Sequence, residues 1–178
     1  MRRLTGALVV TVLLVALGGL HAQHSPYMGL EQREITALSA EQVAGYLAGD
    51  GMGFALPAEL NRYPGPKHVL ELATVLELAS EQRRRAEEIF KEMKEEAQRL
   101  GREIVDREKQ LDGLFAQGIV SRESLEAVVG EIAVLQGELR VAHLRAHLEM
   151  AATLTDDQIA RYEEHRGYHG ATDHPHGP

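Results

Sequence analysis

Apolar residues recur at steps of three and four from Ser80 to about Phe115, at Ala86, Phe90, Met93, Ala97, Leu100, Ile104, Leu111 and Phe115, with one gap at Arg107 and Glu108. Charged residues such as Lys91, Glu95, Arg99, Arg102 and Asp106 fill the positions between them. A second stripe of the same period runs through Leu125, Val128, Ile132, Leu135, Leu139, Ala142, Ala146 and Met150. Each pattern puts its apolar side chains on one face of a helix of roughly 30 residues, about 45 Å long. Gly118 breaks the first helix and Ser121 is placed to cap the second. Two equal amphipathic helices with so short a join fold back as an antiparallel hairpin.

Shorter elements flank the hairpin. Residues 23–38 are mixed and read as irregular. Ser39-Ala-Glu-Gln42 spells a capping box that opens a short helix to about Ala48, and Gly49-Asp-Gly-Met-Gly53 stops it. That glycine cluster follows no strand, so it reads as a turn and not as a phosphate loop. Residues 54–64 hold another helical turn, closed by Pro64-Gly65-Pro66. Pro66 suits the first position of a further helix. Val69, Leu70, Leu72, Val75, Leu76 and Leu78 make that helix apolar on most sides and predict its burial. Thr155 starts a final short helix that ends near Gly167. The fold class is all-α: a long antiparallel helical hairpin with short flanking helices. The hairpin's apolar face needs a cover, from the short helices or from a second copy, and a homodimer is expected.

The N-terminus has a different pattern. Arg2 and Arg3 precede an uncharged stretch from Leu4 to Leu20, and Ala22 supplies a small residue before Gln23. Charge, apolar core and cleavage site stand in the order of a secretory signal peptide over residues 1–22. The apolar core is short of the ~20 residues a membrane-spanning anchor requires. The signal places the protein in the periplasm, with the membrane touched only through that segment. Removing Arg2 and Arg3 from the 19 basic residues leaves 17 against 27 acidic ones, so the net charge goes from −8 to −10. Such a chain has no basic patch for nucleic acid. The absence of cysteine excludes disulfides and thiolate ligands.

Leu154-Thr155-Asp156-Asp157-Gln158 matches the Leu-Thr-x-x-Gln motif of the Spy/CpxP family of periplasmic proteins, and Leu78-Ala79-Ser80-Glu81-Gln82 resembles a first copy with Ala in place of Thr. In each, a hydroxyl caps a helix N-terminus while the glutamine reaches back into the turn, with Ser80 expected as a shifted cap in the first copy. Two copies about 76 residues apart bracket the hairpin. The resemblance covers roughly residues 66–167, which leaves 23–65 as an N-terminal extension and 168–178 as a His-rich, disordered tail. It implies a non-enzymatic hairpin dimer, within a superfamily of ATP-independent chaperones and of heavy-metal sensor and resistance proteins similar to CnrX and ZraP.

Histidine carries the candidate chemistry. His143 and His147 are i,i+4 on the second long helix, so both rings leave the same face and can chelate a metal ion. Met150 lies near that direction and offers a thioether. The alternative for the pair is a hydrogen-bonded role at the edge of the core. His165 and His169 repeat the spacing across Gly167, and His174 and His176 follow in the tail; such tracts bind Ni, Cu or Zn loosely. The chain lacks Glu-x-x-His and His-Glu-x-x-His, the di-iron and zinc-peptidase signatures. It also lacks a nucleophile arrangement, so no catalytic or cofactor-binding residues are assigned. Two functions are expected from the resemblance. One is an envelope-stress chaperone for unfolded envelope proteins. The other is a sensor or resistance protein that binds Zn, Ni, Co or Cu and acts with a membrane sensor or anti-sigma partner.

Overall fold

The computed structural model describes residues 26–168. The signal segment and His169, His174 and His176 lie outside the described residues. Within them the protein is all-helical, with six α-helices: α1 (Ala40–Ala48), α2 (Leu56–Glu59), α3 (Pro66–Glu71), α4 (Ser80–Ala116), α5 (Arg122–Thr153) and α6 (Asp156–Arg166). A 3-10 turn at Leu30–Gln32 precedes them.

The long pair, α4 and α5, packs together as the expected hairpin. Its turn uses Gly118 at φ 67°, a left-handed conformation that glycine adopts without a Cβ penalty. Ser121 then caps α5, accepting from the Ser124 N–H. The predicted stripes form the interface: Ala97, Leu100, Ile104 and Leu139 are fully or almost fully buried. Each large aliphatic side chain so buried contributes about 1.5–3 kcal/mol. The stripe on α4 ends early, because Phe115 at the hairpin tip is exposed.

The short helices cover one side of the hairpin. The capping box of α1 forms as predicted, Ser39 accepting from the Gln42 N–H and Gln42 accepting from the Ser39 N–H. Gly49 ends the helix in a left-handed conformation. Helix α1 lies so close on α4 that a Cβ on Gly101 would sit 2.0 Å from the Tyr46 carbonyl oxygen. Ile35, Leu38 and Tyr46 thereby join Leu100, Ile104 and Leu139 in one core cluster. Helix α3 packs against both α4 and α5, and α2 against α5.

Helix α3 is shorter than predicted. Pro66 does stand at its start, but regular helix stops at Glu71 and turns continue to Glu77. Glu77 takes φ 50°, its N–H bonds to the Thr74 carbonyl, and the Leu78 N–H bonds to the Ala73 carbonyl. Those two bonds make a Schellman closure, built here on a non-glycine residue. Val69 and Leu76 are buried as expected, whereas Val75 is left exposed.

Candidate metal-binding cleft

The cleft lies between α5 and the segments folded over it. The α1–α2 turn contributes Gly49, Asp50 and Gly51, and the start of α3 contributes Gly65 to His68. Helix α4 supplies Phe90, Met93 and Lys94, and helix α5 supplies His143 and His147. It encloses about 300 Å³. The i,i+4 spacing puts the two α5 rings side by side, and both residues are buried, His143 at 3% exposure.

The His147 Nδ1 lies 2.7 Å from the Tyr63 carbonyl oxygen. A carbonyl only accepts, so Nδ1 carries the proton and the lone pair of the neutral ring sits on Nε2. Metal-ligating histidines are held in this manner, the second nitrogen donating to a carbonyl or carboxylate. The Nε2 of His143 is buried and has no hydrogen-bond partner among the described residues. A buried polar atom left unpaired costs about 1–3 kcal/mol, and an unfilled ligand position is one accepted explanation. Burial pushes the His143 pKa down, and the neighbouring His147 and Lys94 add to the shift against opposing contributions from the carboxylate and the backbone of Asp50. The ring is therefore neutral at neutral pH, the form that ligates.

Beneath the cleft, Glu59 of α2 is a buried hub. Its Oε1 accepts from the Tyr162 hydroxyl at 2.5 Å and from the Tyr168 hydroxyl at 2.8 Å. Its Oε2 accepts from the Gly65 N–H at 3.1 Å and lies 3.7 Å from His147 Nδ1. Burial raises the Glu59 pKa, but the tyrosine hydrogen bonds and the neighbouring His147 and His68 outweigh it and hold the carboxyl below its ordinary 4.5. Burial, then the Glu59 carboxylate, pushes the Tyr162 pKa up. Gly65 is needed for space: a Cβ there would lie 3.0 Å from His147 Cε1 and 3.2 Å from its Nε2.

The other sequence-derived positions fall elsewhere. Met150 is 0% exposed in the core with Val69, Leu76, Ala86, Ile89 and Tyr162, and the thioether lining the cleft is that of Met93. His165 is exposed near the end of α6. Ser80 is the first residue of α4 and not its cap; Ala79 takes the cap position without a side-chain bond. The two motif copies instead meet through their glutamines. Gln82 Nε2 donates to Gln158 Oε1 at 2.8 Å, and Gln158 Nε2 donates to Gln82 Oε1 at 3.0 Å. Each amide also accepts from its own cap N–H, of Ala79 or Thr155, and donates to a carbonyl, of Thr153 or Leu76. Thr155 caps α6 as expected, and Leu78 and Leu154 pack on the neighbouring core cluster.

His68, Met93, Lys94, Asp50 and Glu59 are the residues that sequence reasoning passed over as site components. Met93 stood in the α4 stripe, where a thioether reads as core filling. His68 Nδ1 is 2.8 Å from Glu71 Oε2 at the cleft rim. Among the described residues no three of His, Asp and Glu converge on one point as a preformed metal cage. No helix there is long and apolar enough to cross a membrane.

Fold and cleft together define a class: helical-hairpin proteins with a histidine-lined cleft between the hairpin and its short helices. More narrowly, the chain belongs to the heavy-metal resistance family, whose model matches residues 46–161, within the Spy/CpxP-like periplasmic superfamily. The match begins at Tyr46 in the last turn of α1, so α2 and every cleft residue fall inside it, while most of α1 precedes it. No curated protein and no solved structure matches the chain.

Proposed function

We propose that this is a non-catalytic periplasmic protein that binds a heavy-metal ion in the cleft, with His143 Nε2 and His147 Nε2 as ligands, and acts as a metal sensor or buffer. The observation that carries the reading is the buried, unpartnered Nε2 of His143 beside a His147 whose other nitrogen is already committed to a carbonyl. The family match supplies the class of ligand. Calorimetry with Zn, Ni, Co and Cu on the wild type and on His143→Ala/His147→Ala tests it. A binding event present in the wild type and missing from the variant is expected. Equal, weak binding by both would remove the cleft and leave only the tail histidines.

A chaperone role is the second reading, supported by exposed Phe115 and Ile119 at the hairpin tip. The arginines of α4 offer little free positive charge to a client, being largely paired: Arg84 with Glu81 and Glu88, Arg85 with Glu149, and Arg99 with Glu96 and Glu103. The chaperone reading requires suppression of client aggregation at near-stoichiometric ratio. Failure across a range of salt would remove it.

The partner we assign is a second copy of the chain. Val134, Val141 and Leu148 form an exposed row at seven-residue spacing on α5, and Gly130 and Gly137 beside it allow close approach of another helix.

A further inference from the structure

The donors around the cleft discriminate between metals. The carboxylates near the cleft, the ligands that hard divalent ions favour, have protein partners. Asp50 Oδ1 is 3.2 Å from Lys94 Nζ, and both oxygens of Glu59 are taken by Tyr162, Tyr168 and Gly65. His143, His147 and Met93 offer two imidazoles and one thioether, while the third imidazole of the lining, His68, is engaged with Glu71 at the rim. Among the described residues no third His or carboxylate converges with the pair. Thioether ligands select soft ions, and the half-buried Met93 of α4 lines the cleft with the two histidines without adding a charge.

Resting on the reading of this cleft as the metal site, we infer that its ion is soft and monovalent, Cu(I) or Ag(I), held by His143 Nε2, His147 Nε2 and the Met93 sulfur. The thioether confers the selectivity and the two histidines the anchorage. Asp50 and Lys94 remain a pair at the rim and take no part in ligation.

Anaerobic titration of the full mature chain with Cu(I) against a chromophoric Cu(I) chelator tests this, with Ag(I), Zn(II) and Ni(II) titrated in parallel. The proteins are the wild type, Met93→Leu and His143→Ala/His147→Ala. Met93→Leu conserves volume, and its thermal melt checks folding. Met93→Leu is expected to weaken Cu(I) and Ag(I) by at least about tenfold, the scale of a lost ligand-shell contact, and to leave Zn(II) and Ni(II) unchanged. X-ray absorption at the copper edge should show a sulfur scatterer that Met93→Leu removes. Equal Cu(I) affinity for wild type and Met93→Leu, with no sulfur scatterer, overturns the soft-ion assignment. If Zn(II) or Ni(II) then binds through His143 and His147, the broader metal-binding reading stands alone. If the double-histidine variant changes the binding of no metal, both fall.

Discussion

Gly65, His147 and Glu59 show how narrowly the site is determined at the level of single residues. The Gly65 backbone has an ordinary φ of −80°, so glycine is required there by space and not by conformation. Gly65→Ala should press its methyl against the His147 ring and cost about 1–3 kcal/mol, as overpacking does; chemical denaturation measures it, and an unchanged midpoint would contradict the packing described. Protonation gives a second test. Burial lowers the folded-state pKa of His143 below its ordinary 6.5, so the unfolded chain takes up a proton first as pH falls. Stability contributed by the neutral ring is complete above pH 6.5 and is lost as pH drops below that value. Glu59 adds a second loss below pH 4.5, where the unfolded carboxyl protonates before the folded one. Denaturant unfolding across pH should show both declines, and His143→Gln should remove the upper one alone.

Elements with periodic patterns or cap chemistry are legible in the sequence. The hairpin followed from apolar spacing, and α1, α5 and α6 began at the Ser39, Ser121 and Thr155 caps that the sequence offers. The end of α3 was not legible, since its Schellman closure uses Glu77 in a conformation that usually marks a glycine. The cleft was half legible for a related reason. His143 and His147 share one helix and announce themselves by spacing, whereas Met93, Asp50 and Glu59 arrive from segments about 50 to 90 residues away. Only the packing of α1–α3 over the hairpin brings them together. That same packing seals Met150 beneath α3 and Tyr162, although its helical direction is close to that of the histidines. The Gln82–Gln158 pair, each residue foreseen as a local cap, joins the starts of α4 and α6 by reciprocal bonds. A double-mutant cycle with Gln82→Leu and Gln158→Leu should give a coupling energy of about 0.5–3 kcal/mol. Additive losses would mean that each glutamine serves only its own cap.

For the whole molecule, the short helices cover one side of the hairpin and leave the α5 row of Val134, Val141 and Leu148 in solvent. A homodimer through this row would bury it, and the acidic charge would then keep dimers apart from one another. Val141→Glu should shift the protein from dimer to monomer in light scattering with its helical spectrum unchanged; a monomeric wild type would refute the interface. The central claim concerns the Nε2 atoms of the two histidines that line the cleft. Two-bond proton–nitrogen NMR correlation of the histidine rings reads them directly. In the metal-free protein His147 should show a protonated Nδ1 and a lone-pair Nε2, and on metal addition the Nε2 resonances of His143 and His147 should shift together. Shifts confined to other histidines, or a His147 protonated at Nε2, would contradict the account.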